Sequence, residues 1–117
     1  MEKRFTQQFQ ACLLIVDYLD MAEYKKGPEI MEYLKQAGFD YKMPYLQNFI
    51  QDLKLSGLVV TSRGRQGGYK LVNRPITALA IYEAAQGKIT ITQNRTKYIL
   101  ESMKKSMESC FIKHGIA

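Results

Sequence analysis

Residues 53–72 have the sequence LKLSGLVVTSRGRQGGYKLV, and this stretch decides the fold. Two short runs in it, Leu58–Thr61 and Tyr69–Val72, have the β-branched and aromatic bias of strands. The loop between them contains two arginines and three glycines: Arg63, Gly64, Arg65, Gly67 and Gly68. Glycines permit the positive φ angles that a hairpin loop needs. The two arginines lie on the loop, where their side chains cannot contribute to a buried core. The pattern predicts a β-hairpin with a cationic tip.

Two helices are predicted before this hairpin. Each begins with a proline in its first turn, Pro28 and Pro44, where the missing N–H costs no hydrogen bond. Gly38 is a natural end for the first of them, and Ser56-Gly57 a tight turn after the second. Their inward faces follow helical spacing and comprise Ile30, Met31 and Leu34, then Leu46, Phe49, Ile50 and Leu53. Two helices followed by a hairpin are typical of a winged helix-turn-helix.

The outer face of the second of these helices carries amide side chains at Asn48 and Gln51. An amide donates and accepts at once, which matches adenine N6 and N7 in the major groove. An ordinary solvated helix face is the alternative interpretation. The full set of predicted DNA-binding residues is Lys42, Tyr45, Asn48, Gln51, Lys54, Arg63, Arg65, Gln66 and Lys70.

The hairpin loop admits two kinds of contact. Arg63 and Arg65 can bind phosphates, or one of them can enter a narrow A·T-rich minor groove, where negative potential is concentrated. A phosphate-cradling nucleotide loop is not indicated, because a strand-like run follows the glycines instead of a GK[ST] helix start. We predict that Tyr69 packs under the hairpin.

The charge distribution favours a polyanion as partner. The chain has 117 residues, enough for one domain, and a net charge of +6. Residues 1–52 carry 6 Lys/Arg and 8 Asp/Glu, whereas residues 53–117 carry 11 and 3. A one-sided basic surface is typical of nucleic-acid-binding proteins, although charge also serves solubility.

Several short motifs resemble one family of small dimeric bacterial regulators: Pro44-Tyr45-Leu46, Gly57-Leu58-Val59, Ser62-Arg63-Gly64, Gly67-Gly68-Tyr69-Lys70-Leu71 and Ile76-Thr77-Ala78-Leu79. That family includes the iron–sulfur cluster regulator, the nitric-oxide-sensitive repressor and the cysteine-metabolism repressor. The resemblance spans roughly residues 27–87. It implies a winged helix-turn-helix that binds DNA as a dimer, with a long C-terminal helix joining the two copies.

The ends of the chain supply the surface predicted for the dimer. A first helix from Phe5 to Tyr18 is apolar on more than one side, which indicates either a partner chain or a central core helix. A helix capped by Thr77 and ended by Gly87 follows the hairpin. A last helix is predicted from about Asn94 to Lys113, with coiled-coil spacing along its apolar seam. The predicted dimer-interface residues are Phe5, Phe9, Leu100, Met103, Met107 and Cys110.

The predicted organisation is therefore mainly α with a small β-hairpin. Residues 1–87 form a winged helix-turn-helix DNA-binding domain, and residues 88–117 form a linker and a long dimerisation helix, all within one compact unit. A helix that instead folds back on the first helix of a monomer is the alternative.

The chain departs from its relatives where several of them hold an iron–sulfur cluster with three cysteines. The corresponding segment, residues 88–95, has no cysteine, histidine or acid, so thiolate ligation there is impossible. We expect no metal and no cofactor. Cys12 and Cys110 lie in apolar helical patterns and are expected to be buried, inert thiols.

An enzyme is not indicated, because the only histidine, His114, has no assignable catalytic partners and no nucleotide or metal-hydrolase motif occurs. A winged-helix protein-interaction adaptor and a non-specific nucleic-acid-binding protein are the alternatives. The sequence predicts a homodimeric transcriptional regulator that binds double-stranded DNA and acts as a repressor. Its predicted location is the cytoplasm, in association with the nucleoid and not with a membrane.

Overall fold

The computed structural model of the protein describes residues 2–64, 67–87 and 97–115, with the side chains of the first helix described from residue 7 onward. The helices are α1 (Glu2–Tyr18), α2 (Gly27–Gln36), α3 (Met43–Leu55), α4 (Ala78–Gln86) and α5 (Lys97–Ser109). The strands are β1 (Val59–Ser62), β2 (Gly68–Leu71), β3 (Ile76–Thr77) and β4 (Phe111–Lys113). The predicted fold class, mainly α with a small antiparallel hairpin, is confirmed.

Helix α1 is the central element of the core. It packs against α2, α3, α4 and β4. Its fully buried side chains are Ala11, Cys12, Ile15 and Val16, and Leu19 directly after the helix is also fully buried. The apolar pattern of the sequence also includes Phe9 and Leu13, which are only half-buried, and Phe5 lies outside the described side chains. The surplus of apolar residues on α1 is therefore largely covered by the chain itself, as expected of a core helix.

The two helices of the helix-turn-helix start and stop in the same way. Both have proline in the first turn, and both end in a pair of backbone hydrogen bonds that requires a residue with positive φ just beyond the helix. After α2, the Phe39 N–H donates to the Leu34 carbonyl at 2.8 Å; after α3, the Leu58 N–H donates to the Leu53 carbonyl at 3.0 Å. Gly38 and Gly57 have φ of 96° and 77°. Both predicted helix ends are confirmed.

The predicted hairpin is also confirmed. Strands β1 and β2 are antiparallel, with Val59 opposite Leu71 and Ser62 opposite Gly68. Buried Leu58, Val59 and Leu71 attach the base of the hairpin to the core, whereas residues 61–64 toward its other end are exposed. Tyr69 is half-buried against the core, as predicted.

The C-terminal prediction needs correction. The last helix does not run to Lys113: it ends at Ser109, and Phe111–Lys113 form β4, which pairs antiparallel with β3. The Ala78 N–H donates to the Cys110 carbonyl at 2.7 Å, and Ile112 packs against the core. This tertiary pairing overrides the weak helical pattern, since it satisfies the backbone of the segment before α4 and covers Ile112.

Helix α4 begins as predicted, because the Thr77 hydroxyl accepts a hydrogen bond from the Ala80 N–H at 3.1 Å. It ends at Gly87, whose φ is 86°. None of the helices in the described ranges is both long and apolar enough to cross a membrane.

Candidate nucleic-acid interface

Helix α3 has one buried side and one polar side. The four residues predicted to point inward, Leu46, Phe49, Ile50 and Leu53, are all buried. The polar side chains that remain exposed are Tyr45, Gln47, Asn48, Gln51 and Lys54. The amphipathic prediction for α3 is therefore confirmed, and its outward face is accessible to a large ligand.

A cleft of about 470 Å³ separates α3 from the hairpin. Gln47, Gln51 and Lys54 line it from α3, and Thr61, Ser62 and Arg63 line it from the hairpin. The start of α2 contributes Lys26 and Gly27, and the backbone at Gly67 and Gly68 completes the wall. Three separate elements of the fold thus converge on one concave surface.

The cleft is cationic. Lys26, Lys54 and Arg63 come from α2, α3 and the hairpin, and no aspartate or glutamate occurs among the described residues that line it. Like charges on three elements repel one another across low-dielectric walls unless an anion lies between them. The amides and hydroxyls on the same walls can donate to oxygen atoms. The arrangement suits an extended polyanion better than a small neutral molecule.

The hairpin is held against the helical body by backbone contacts that the sequence did not predict. Lys25, just before α2, forms a bridge to β2: its N–H donates to the Tyr69 carbonyl and its carbonyl accepts from the Tyr69 N–H, both at 2.8 Å. The Leu71 N–H donates to the Asp20 carbonyl at 2.8 Å. The hairpin therefore keeps a fixed position relative to α2 and α3.

The Asp20 side chain organises the loop that makes these contacts. Its carboxylate accepts from the Glu23 N–H at 2.7 Å and the Ala22 N–H at 3.0 Å, and Lys25 Nζ lies 4.0 Å away. The hydrogen bond from the Glu23 N–H is the main reason that the pKa of Asp20 is lowered from its usual value. Partial burial acts in the opposite direction and raises the pKa. The hydrogen bond from Ala22 and the charges of Lys25 and Lys113 lower it further. The carboxylate therefore stays ionised and keeps the loop in place at neutral pH.

The predicted DNA-binding residues fall in different places. Gln51, Lys54 and Arg63 line the cleft. Lys42 is exposed at the N-cap of α3. Lys70 lies on the other face of β2 from Tyr69, with its ammonium 4.7 Å from the centroid of the Tyr24 ring. Arg65 and Gln66 lie outside the described residues.

Tyr45 and Asn48 lie on the opposite flank of α3 from the cleft. They line a second hollow together with Gln7, Gln8, Tyr41 and Phe49. Gln8 donates from its amide to Asp52 on α3 at 3.3 Å, so α1 and α3 are joined beside this hollow. Tyr41 is half-buried, and that burial is the main cause of its raised pKa.

The cleft residues absent from the predicted set include Gln47 and Lys26. The sequence does carry a signal for Lys26: Lys26-Gly27-Pro28 and Lys42-Met43-Pro44 are parallel helix starts, and both place a lysine at the N-cap. A lysine side chain cannot accept the first N–H groups of a helix, and neither N-terminus has a side-chain cap.

The residues predicted for a dimer surface lie partly on α5. Leu100 and Met107 are half-buried, whereas Met103 is 51% exposed. The neighbouring Ile99 and Tyr98 are 61% and 78% exposed. No residue of α5 is fully buried. A continuous apolar stripe therefore runs from the half-buried edge of α5 to its exposed edge.

The two cysteines differ. Cys12 is buried, as predicted, and burial raises the pKa of its thiol to about 12. Cys110 is exposed and follows the end of α5, so its predicted place in a buried helical seam is wrong. The reason is the pairing of Phe111–Lys113 with β3, which draws this part of the chain out of the helix.

Within the described residues, no group of three His, Cys, Asp or Glu side chains is arranged to hold a metal ion. Residues 88–95 contain none of these residue types. Cluster ligation by thiolates needs several cysteines near one another. The donor set of this chain does not fit the three-cysteine cluster of its relatives.

Comparison with known proteins identifies relatives of this arrangement. A family model, Rrf2, described as an iron-dependent transcriptional regulator, matches residues 5–116. No curated protein matches the chain.

Three solved structures are similar to this chain. The chain is similar to CymR (YrzC), the global cysteine regulator of B. subtilis, at 18% identity and a TM-score of 0.67, over 92% of this chain and 89% of that one. Staphylococcus aureus CymR matches at 18% identity and a TM-score of 0.68, over 92% and 93%. T. potens IscR matches at 25% identity and a TM-score of 0.53, over 94% and 78%. The CymR likenesses, at this identity, show the shared fold.

Proposed function

The chain belongs to the Rrf2 family of transcriptional regulators, and from that premise we propose that it binds specific double-stranded DNA as a homodimer and represses transcription by occluding its operator. The family consists of regulators rather than enzymes. The proposed location is the nucleoid, because the proposed partner is chromosomal DNA.

The cationic cleft between α3 and the hairpin carries this proposal. Its basic residues come from three elements, and the Lys25–Tyr69 bridge ties two of them, the start of α2 and the hairpin, to each other. An adaptor that binds proteins through this fold has no need for such a convergence of cations. A rigid, concave, positively charged surface beside an exposed amide-bearing helix is well suited to a duplex.

In the proposed complex, α3 lies in the major groove. Asn48 and Gln51 meet base edges, and Tyr45 and Lys42 contact the groove wall and the backbone at the N-terminal end of the helix. Lys54 and Lys26 neutralise phosphates beside the cleft. The hairpin, with Arg63 and the further predicted residues Arg65 and Gln66, follows the backbone or enters the adjacent minor groove. Lys70, held over Tyr24, contributes charge to the flank of the hairpin.

The proposed complex contains two copies of the chain, because one helix and one hairpin contact too few base pairs to recognise a specific site in a genome. The apolar stripe of α5, with Ile99 and Met103 at its exposed edge, is the surface we assign to the partner copy. A two-fold axis through this interface requires a near-palindromic operator whose half-sites are about one helical turn apart, or a multiple of it.

Iron sensing is not part of the proposal. The family description refers to iron, but residues 88–95 lack every residue type that holds a cluster in the relatives. We expect the purified protein to bind DNA without metal, and this expectation stays a prediction until metal content and DNA affinity are measured on the same anaerobic preparation.

The test of DNA binding is the salt dependence of duplex affinity, with Arg63→Ala beside wild type. Each neutralised phosphate releases counterions and contributes about −0.9 to the slope of log K against log salt. Loss of a phosphate contact in Arg63→Ala should make the slope shallower by about that amount. Lys35→Ala is the matched control, because it removes one positive charge from the exposed end of α2, outside the cleft.

Affinity that is absent at low salt, or that does not respond to salt, would overturn the proposal. Equal weakening by Arg63→Ala and Lys35→Ala would show that net charge, rather than the cleft, is responsible. An unchanged slope with a lost preference for A·T-rich flanks would place Arg63 in the minor groove instead.

A further inference from the structure

The hollow on the flank of α3 opposite the cleft has the properties of a small-molecule site. Its volume is about 450 Å³, within the range of ligand pockets in proteins. Three separate parts of the chain enclose it: the start of α1, the segment between α2 and α3, and α3 itself. Six residues line it, namely Gln7, Gln8, Tyr41, Tyr45, Asn48 and Phe49.

Its apolar walls are aromatic rings set at different angles. The Tyr41 ring meets Phe49 edge to face, with centroids 5.0 Å apart and planes at 81°. The Tyr45 ring lies 6.2 Å from Tyr41 and is tilted by 44°. Rings in these orientations present both faces and edges, so a further flat ring can stack on one and meet another at its edge. The walls therefore favour a planar aromatic guest.

The polar groups around these walls are amides. Gln7, Gln8 and Asn48 each offer a donor and an acceptor, and the bond from Gln8 to Asp52 uses the amide nitrogen of Gln8 while leaving its carbonyl oxygen to accept. None of the six lining residues carries a charge. An anionic guest would lose its hydration without gaining a counter-ion, and the one nearby carboxylate, Asp52, is already bonded to the Gln8 amide. The amides that line the hollow therefore suit a neutral guest with hydrogen-bonding groups at its edge.

We propose that this hollow binds a neutral, planar heteroaromatic or aromatic-amide molecule, and that its occupancy weakens operator binding. The second half rests on the proposed function, since Tyr45 and Asn48 line the hollow and also belong to the DNA-reading face of α3. A guest that engages the Asn48 amide and packs on the Tyr45 ring removes both from base contact. The small molecule thereby acts as an inducer for the regulator.

Benzamide is the probe for the binding step, because it is flat, neutral and has an amide at its edge. Two molecules of nearly the same size serve as controls: benzoate, which is flat but charged, and cyclohexanecarboxamide, which is neutral but not flat. Titration into the free protein is followed by NMR at the side-chain amides of Gln7, Gln8 and Asn48 and at the Tyr41 and Tyr45 rings. We expect saturable shifts confined to these signals with benzamide, and markedly weaker binding of both controls.

Tyr41→Leu removes one aromatic wall, and Tyr41 is not itself one of the proposed DNA-binding residues, although its ring lies beside that of Tyr45. It should weaken benzamide binding by about three- to tenfold, the worth of an aromatic pair. Tyr33→Leu is the matched control, since Tyr33 lies on α2 beside Asp17 and outside the hollow. If Tyr41→Leu does not fold, Gln7→Ala, an exposed position on α1, should weaken binding by about threefold through the lost hydrogen bond.

The coupling step is measured as duplex affinity with and without saturating benzamide. Occupancy should lower it by about fivefold or more, the loss of at least one bidentate base contact. Linkage requires that the duplex raise the dissociation constant of benzamide by the same factor.

The outcomes separate the two claims. Absence of saturable shifts, equal binding of the three probes, or full benzamide affinity in Tyr41→Leu overturns the ligand site, whatever the DNA result. Saturable binding with unchanged duplex affinity overturns the coupling alone. Saturable benzamide binding in a protein that binds no duplex leaves the ligand site standing and overturns the proposed function.

Discussion

At Gly68, the absence of a Cβ atom allows the hairpin to pack closely against the helical body. Its φ is 141°, and a Cβ at this position would lie 2.3 Å from the Lys25 carbonyl oxygen, which accepts the hydrogen bond from Tyr69. Two requirements therefore favour glycine at this position. Residues with a side chain rarely adopt this φ, and the Lys25 carbonyl oxygen lies too close to leave room for a Cβ atom. A glycine in the loop was predicted from the sequence; its contact with Lys25 was not, since that residue lies 43 positions earlier.

We predict that Gly68→Ala destabilises the protein by about 2–4 kcal/mol, more than backbone strain alone accounts for. Gly38→Ala is the matched control, because Gly38 has φ of 96° but no atom within 4 Å of the point that a Cβ would occupy. It should cost only the left-handed penalty, about 1–2 kcal/mol. Urea unfolding of both variants gives the comparison. Equal decreases in unfolding free energy for the two variants would mean that the Lys25 carbonyl oxygen does not lie close to Gly68 in solution.

The two cysteines give a second prediction for single residues. Cys12 has a pKa of about 12 and is buried, so it is neither ionised nor accessible near neutral pH. In Cys110→Ser protein, we expect no reaction with a thiol reagent in the native state and full reaction in denaturant. Rapid native labelling of that variant would contradict the burial of Cys12.

Among the elements, those governed by local rules were predictable and those formed by distant pairing were not. Helix α3 follows from the spacing of Leu46, Phe49, Ile50 and Leu53, and its start from Pro44, all within one short stretch. The hairpin follows from its glycines and β-branched residues. Strand β4 and the bridge at Lys25 depend on partners far along the chain, and no periodic pattern in their own residues reveals them. For the same reason the gathering of Lys26, Lys54 and Arg63 into one cleft was not predictable, although two of the three belong to the predicted set.

The prediction that belongs to α3 concerns sequence reading. Asn48→Ala and Gln51→Ala should narrow the gap between specific and non-specific duplex affinity by about 1–3 kcal/mol per lost bidentate contact. Gln36→Ala, an exposed amide at the end of α2, is the control and should leave the gap unchanged. Full discrimination in both α3 variants would show that another element reads the bases.

At the scale of the whole molecule, the proposed dimer requires a surface that joins two copies. The apolar stripe on α5 is the surface that we assign to this contact. Leu100 and Met107 form its half-buried edge, and Ile99 and Met103 its exposed edge. Large apolar side chains exposed side by side on one helix are typical of an interface.

We predict that Met103→Glu splits the dimer, because it places an unpaired carboxylate in an apolar interface. Ser109→Glu adds the same charge to the same helix, at its exposed last residue, more than one turn from Ile99 and Met103, and should leave the proposed dimer intact. Sedimentation equilibrium, run beside operator affinity, should show a folded Met103→Glu monomer that has lost the operator. A wild-type monomer with specific affinity for a single half-site would contradict the dimer.

The short sheet of β3 and β4 also bears on how the molecule is made. Val59 pairs with Leu71 only 12 positions later, whereas Ile76 pairs with Lys113, 37 positions later. Closing the longer loop costs more chain entropy, and local contacts generally form first. During synthesis the hairpin can therefore close while α5 is still being made, and the strand that follows α5 seals the fold last. A nascent chain thus acquires the proposed DNA-binding surface before the helix that we assign to the partner copy, so pairing of subunits in the proposed dimer would be the final step of assembly.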